Sequence, residues 1–184
     1  MEQVPTRLSG PILIQPAVHG DDRGFFIETF RANVLAERFG ISDDFVQDNH
    51  SRSARGVVRG MHFQIGAGAS KLVRCGRGAI VDVLVDLRRG SPTYGEWEGH
   101  VLDDERHRQL WVPIGFAHGF QVLSETADVA YKLTSLYDPE FESEIAWDDP
   151  DVAVDWPVDD PFLSERDKAA PWLSEVAESL PFTY

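Results

Sequence analysis

Hydrophobic and polar positions alternate through the middle of the chain in short runs. Residues 12–18, 24–31, 45–51, 57–64, 71–75, 79–86, 94–102, 109–112, 117–122 and 127–136 all read as strands. Turn signals such as Gly20-Asp21-Asp22-Arg23-Gly24, Gly66-Ala67-Gly68 and Arg89-Gly90-Ser91-Pro92 separate them. Run 79–86 is the cleanest. Ala79, Val81, Val83 and Val85 fall on one face, with Asp82 and Asp86 on the other, which predicts a half-buried strand. Many strands at short spacing predict a sandwich or barrel. Helical signals are few. Asn33 is positioned to cap a helix over 34–39 that Gly40 ends, and Ser164 to cap a turn beginning at Glu165. Pro171 interrupts that turn, and 172–180 reads as a last helix. The Pro- and Asp-rich stretch 148–161 reads as an ordered surface wrap anchored by Trp147, Trp156 and Phe162. With no internal repeat and no low-complexity linker, the expectation is one all-β domain of jelly-roll type over residues 1–184, with short terminal helices.

Composition narrows the function classes. The chain has 184 residues, and chains of about 150 residues typically form one domain with a core that needs no disulfide or metal. Seventeen basic against 31 acidic residues give a net charge of −14, which argues against a general nucleic-acid or anionic-membrane surface. A small phosphate ligand would need a local basic island. Cys75 is the only cysteine, so no intrachain disulfide can form. It lies in an apolar run and reads as a small buried residue, not a nucleophile. The first ten residues do not read as a secretory signal and no run approaches 18 apolar residues, so the expected compartment is the cytoplasm.

Two histidines stand out. In Arg59-Gly60-Met61-His62-Phe63-Gln64, alternation puts Gly60, His62 and Gln64 on one face and Met61 and Phe63 on the other. A polar strand face of this kind suits an interior pocket. Local sequence alone nevertheless favours a hydrogen-bonded structural histidine. His118 lies in Pro113-Ile114-Gly115-Phe116-Ala117-His118-Gly119, which resembles the second half-motif of cupins, small β-barrels that often bind a metal. The first half-motif would need H-x-H, and the chain offers His62-Phe63-Gln64. Glutamine is a poor ligand for the metals that favour imidazole and thiolate, so no metal site is expected. Gly66-Ala67-Gly68-Ala69 is not a dinucleotide fingerprint, and no nucleophile elbow is present.

Taken in order, a longer set of motifs resembles one family, the dTDP-4-dehydrorhamnose 3,5-epimerases, or RmlC-like cupins. The set begins with Asp22-Arg23-Gly24-Phe25-Phe26-Ile27-Glu28, Phe45-Val46-Gln47-Asp48-Asn49-His50-Ser51 and Val58-Arg59-Gly60-Met61-His62-Phe63-Gln64. It continues through Lys71-Leu72-Val73-Arg74, the His118 block and Tyr131-Lys132-Leu133-Thr134. It closes with Trp147-Asp148-Asp149-Pro150-Asp151, Asp155-Trp156-Pro157 and Leu163-Ser164-Glu165-Arg166-Asp167-Lys168. The resemblance implies a cupin-type jelly-roll β-barrel or sandwich and an epimerase acting on a dTDP-4-keto-6-deoxyhexose, without metal or organic cofactor. It implies His62 as base with Asp167 as its partner, Tyr131 as acid on the opposite sugar face, and Lys71 as the donor to the enolate oxygen. Arg23, Glu28, Gln47, Asn49, Arg59, His118, Glu142 and Lys168 match substrate contacts, and Tyr137 matches a stack on thymine. The resemblance also implies a homodimer in which the segment from Arg23 to Glu28 reaches the neighbouring subunit's site.

The loop after Gln64 departs from the family pattern: Ile65-Gly66-Ala67-Gly68-Ala69-Ser70 stands where a proline is common. Four other readings remain open on sequence: an epimerase of one centre only, a 3,4-ketoisomerase, a non-catalytic nucleotide-sugar-binding cupin, and a metal-dependent cupin oxygenase.

Overall fold

The computed structural model describes all residues from 1 to 184. The strands are, in chain order, β1 (Glu2–Val4), β2 (Ile12–Gln15), β3 (Val18–Asp21), β4 (Gly24–Ile27), β5 (Gln47–Ala54), β6 (Val58–Gln64), β7 (Lys71–Arg77), β8 (Ala79–Asp86), β9 (Trp97–Asp103), β10 (Gln109–Val112), β11 (Phe116–Val122), β12 (Thr126–Leu133) and β13 (Glu142–Glu144). The helices are α1 (Ala32–Phe39), α2 (Glu165–Lys168) and α3 (Leu173–Val176), the last continued by a 3₁₀ turn at Ala177–Ser179. One sheet has the order β1-β2-β10-β7-β12-β5 and the other β13-β6-β11-β8-β9, while β3 and β4 form a separate hairpin. The two large sheets stack as an open jelly-roll sandwich, as the strand spacing predicts, and of the cupin type that the family resemblance implies.

Three apolar clusters follow from strand alternation. Leu13, Val73, Ile80, Leu84, Leu110, Phe116 and Phe120 fill the space between the sheets. On the outer face of the five-stranded sheet, Met61, Phe63, Val83 and Val85 meet Ile145, Val152, Leu173 and Phe182 of the C-terminal third. Leu35 and Ile41, in and just after α1, cover Ile14 and Leu72 outside the six-stranded sheet. Each such side chain, fully buried, contributes about 1.5–3 kcal/mol.

Strand β8 corrects one expectation. The alternation is as read, but the strand is buried on both faces, with Asp82 and Asp86 fully inaccessible. It lies between β11 and β9, its valines are roofed by the C-terminal segment, and its aspartates point inward to fixed partners. The cap of α1 is also different: Arg31, without a side-chain bond, takes the position expected of Asn33, while Gly40 ends the helix in the left-handed region at φ +71°. The last helix is shorter than expected. The 148–161 stretch does wrap the surface. Trp156 donates its indole N–H to the Trp147 carbonyl at 2.8 Å, and Gln121 grips both backbone groups of Val158. Phe162, however, is no anchor. The residue is 73% exposed while its backbone bonds Gly56 and Val58, and the neighbouring Leu163 is buried instead.

Candidate active site

His62 and His118 sit opposite each other on adjacent strands β6 and β11, both facing the gap between the sheets. Two glycines let these strands approach. A Cβ on Gly60 (φ +142°) would lie 2.5 Å from the Gly119 Cα, and one on Gly119 would lie 2.6 Å from the Met61 sulfur. No larger residue fits either place without moving backbone.

His62 Nε2 lies 2.7 Å from Asp167 Oδ1. Asp167 comes from α2, where the Ser164 hydroxyl caps the helix by accepting the Asp167 amide at 3.1 Å, as the sequence predicts. Burial would raise the Asp167 carboxyl. The bonds from His62 and Ser164 and the charges of His62 and Arg166 outweigh it and hold the group below its ordinary value. An ionised Asp167 fixes the proton on Nε2, which leaves the lone pair on Nδ1 free to act as a base.

His118 Nε2 lies 3.0 Å from both oxygens of the fully buried Asp82. Burial lowers the His118 pKa, and Lys71 and His62 push the same way against the pull of Asp82. The ring is therefore a neutral donor to Asp82 near pH 7. Asp82 escaped the sequence reading as a site residue. The signal was its place as a carboxylate in the middle of an apolar strand. Lys71, at the start of β7, donates from Nζ to the His62 carbonyl at 3.1 Å. Desolvation draws its ammonium down to about 8, against the opposing charges of Glu142 and Asp82.

Tyr131 stands on β12 in the facing sheet, packed against the inner core, with a hydroxyl that has no protein partner. Tyr131 pairs with Val73 of β7, whose side chain belongs to the inter-sheet core, so the phenol lies on the inner face of its sheet. Asn49 pairs with Tyr131 across β5 and β12 and accepts the Gln47 amide at 3.0 Å. Gln47 in turn accepts the Tyr137 backbone N–H at 2.8 Å. Arg59 reaches Ser53 at 3.0 Å, and Glu142 pairs with Gln64 at the edge of the other sheet.

The remaining candidates stay outside this constellation. Arg23 folds onto Asp21, its side chain 90% exposed on the β3–β4 hairpin. Glu28 lies 3.7 Å from Arg31, Lys168 pairs with Glu165 at 2.7 Å, and the Tyr137 ring is exposed. Cys75 is buried, with its thiol pushed up to about 11, as expected of an inert cysteine. No three His, Cys, Asp or Glu side chains converge as metal ligands. No helix is long and apolar enough to cross a membrane.

Facing antiparallel sheets with two inward histidine–carboxylate pairs on one wall and a tyrosine on the other define a cupin-type protein. The family model described as dTDP-4-dehydrorhamnose 3,5-epimerase matches residues 5–175. A Pseudomonas aeruginosa protein of that name is 55% identical over 166 residues, covering 89% of this chain and 92% of its own. The crystal structure of the Legionella pneumophila epimerase RmlC, in complex with dTDP-4-keto-L-rhamnose, superposes with a TM-score of 0.96 at 48% identity, covering 100% and 98% of the two chains. NovW, a 4-keto-6-deoxy sugar epimerase from the novobiocin cluster of Streptomyces spheroides, gives 0.95 at 42%, covering 99% and 93%. This chain belongs to the dTDP-4-dehydrorhamnose 3,5-epimerase family.

Proposed function

We propose that this chain is an isomerase that converts dTDP-4-dehydro-6-deoxy-D-glucose to dTDP-4-dehydro-L-rhamnose by inverting C3 and C5. The observation that carries the mechanism is the His62–Asp167 pair at 2.7 Å, across the gap from Tyr131. The C4 ketone acidifies the hydrogens on both neighbouring carbons. His62 Nδ1 removes one of them, and Asp167 stabilises the imidazolium that forms. The electron pair moves onto the C4 oxygen, where the Lys71 ammonium offsets the developing charge. Tyr131, whose phenol hydroxyl can donate, returns a proton to the opposite face. The steps repeat at the second carbon after proton exchange with water. No step calls for a metal or an organic cofactor.

Arg59, Gln47, Asn49, His118, Glu142 and Lys168 are assigned to substrate contact, and Tyr137 to the thymine ring. Arg suits a diphosphate because its fork presents paired donors. Arg23 and Glu28 lie on a hairpin that exposes Phe25 and Phe26 at 61% and 69%. Exposed aromatic surface of this kind suits a protein contact, which supports a homodimer in which that hairpin completes the partner's site. The cytoplasm is the compartment consistent with a lone reduced cysteine.

The test is incubation with the 4-keto-6-deoxyglucose nucleotide in deuterated water, followed by NMR and mass spectrometry. Deuterium at C3 and C5 with an L-rhamno product supports the assignment. Uptake at C3 alone identifies a one-centre epimerase. A displaced ketone identifies a ketoisomerase, and no uptake at either carbon by folded protein overturns the epimerase reading.

A further inference from the structure

The segment joining β12 to β13, residues 134–141, crosses from one sheet to the other beside the active-site gap. It carries three exposed apolar side chains, Leu136, Tyr137 and Phe141. A loop of this kind would ordinarily be mobile, yet its backbone is gripped from both sheets. Gln64, at the end of β6 and only 7% exposed, accepts a hydrogen bond from the Ser135 hydroxyl on Oε1 and donates from Nε2 to the Leu136 carbonyl at 3.5 Å. The carbonyl fixes the amide orientation, since the flipped amide would set two acceptors against each other. From the opposite sheet, Gln47 takes the next residue by its N–H. Further ties hold the two ends. The Thr134 amide donates to the Ser70 carbonyl at 3.2 Å, and the Ile65 amide to the Phe141 carbonyl at 2.9 Å. Gly66, at φ +71°, leaves only 3.0 Å between a would-be Cβ and the Phe141 ring.

We propose that Gln64 is a positioning residue for nucleotide binding: through Ser135 and Leu136 it fixes the crossing segment so that the exposed Tyr137 ring forms a preset wall for the planar base of the nucleoside diphosphate. This rests on the substrate class given above and extends it to a residue that touches no substrate. Gln64 shares a strand face with His62, so the same strand sets the base and the nucleotide wall in one register. A wall ordered before binding spares the ordering cost at the moment of binding, so its loss weakens affinity and leaves the proton transfers alone.

The test uses the full-length protein and three readouts: calorimetric Kd for dTDP, KM against kcat on the nucleotide sugar, and amide hydrogen exchange across residues 134–141. Gln64→Met should raise Kd and KM at least fivefold, keep kcat within about threefold, and speed exchange in the crossing segment. Tyr137→Ala in the Gln64→Met background should add little, because both changes remove the same contact. Ser135→Ala removes one of the two ties without altering the core and should give a smaller shift of the same kind. It replaces Gln64→Met if that variant fails to fold. Unchanged exchange in the segment, fully additive Kd effects with Tyr137, or a fall in kcat at unchanged Kd would each overturn the proposal. If wild type neither binds dTDP nor exchanges substrate hydrogens, the functional reading has failed, and the exchange experiment alone then decides whether Gln64 orders the segment.

Discussion

His62 and His118 are direct cross-strand partners, yet each is held by a different carboxylate. Asp167 takes His62 from the C-terminal helix α2, and Asp82 takes His118 from the neighbouring strand β8. Two imidazoles side by side are thereby kept in defined tautomers, each with Nε2 committed to its carboxylate and Nδ1 unclaimed by protein.

Removing the base should abolish turnover without unfolding the chain. His62→Ala is expected to lower deuterium wash-in below detection while the thermal melt stays within a few degrees of wild type. Asp167→Asn should keep the geometry but lose the tautomer control, lowering kcat by about 10⁴, the scale seen when a histidine's carboxylate partner is neutralised. Near-wild-type exchange by His62→Ala would remove His62 from the mechanism.

Asp82→Asn tests the second pair. A hydrogen bond to a charged group contributes about 1.5–3 kcal/mol, so misorienting His118 should cost roughly 10–100-fold in kcat/KM. Steady-state rates at saturating and limiting substrate are the check. An effect below about threefold would leave Asp82 a packing residue.

Lys71 gives a pH signature. Its ammonium titrates at about 8 in the folded chain, so kcat/KM for the free enzyme should decline as pH rises through 8. Lys71→Arg should move that limb upward, beyond pH 10. The stability sign is the reverse of the usual ion-pair case. The unfolded chain binds the Lys71 proton more tightly, so this group opposes folding below pH 8, and that cost is relieved as pH rises toward 10.5. Lys71→Met should therefore be inactive but more stable at pH 7, by roughly 1–2 kcal/mol after loss of the bond to the His62 carbonyl. A lower melting temperature for Lys71→Met would contradict this.

Asp149 is a purely structural test. It is 2% exposed and accepts the amides of Asp151, Val152 and Leu173, tying the wrap to the start of α3. Asp149→Ala strands those donors and should cost about 2–4 kcal/mol in chemical denaturation, with Asp149→Asn in between.

Much of this was legible in sequence because strand alternation reports faces directly. The inward set Gly60, His62 and Gln64 and the outward set Met61 and Phe63 were readable from period 2 alone. The Ser164 cap was readable because its chemistry is local. What escaped was non-local. Asp82 looked like the wet side of a half-buried strand, since nothing near it in sequence reveals that residues 145–182 roof the valines behind it. Asp167 had no standing until a whole set of motifs was compared with a known family, because its partner is 105 positions away. Phe162 misled for a related reason: its backbone, not its ring, does the anchoring.

The C-terminal third covers the outer face of the five-stranded sheet and also delivers Asp167 to His62. On the proposed mechanism, activity and completion of the fold are therefore one event. The strands before Leu133 could pair and bury their shared core while the site still lacked its carboxylate. The same docking of Ile145, Leu173 and Phe182 that closes the second core also brings Asp167 to His62, the proposed base. Any loosening of that docking, by heat, denaturant or a cut in the wrap, should silence catalysis before the sandwich itself comes apart. Turnover in such an enzyme is a gauge of how firmly its last fifty residues are seated.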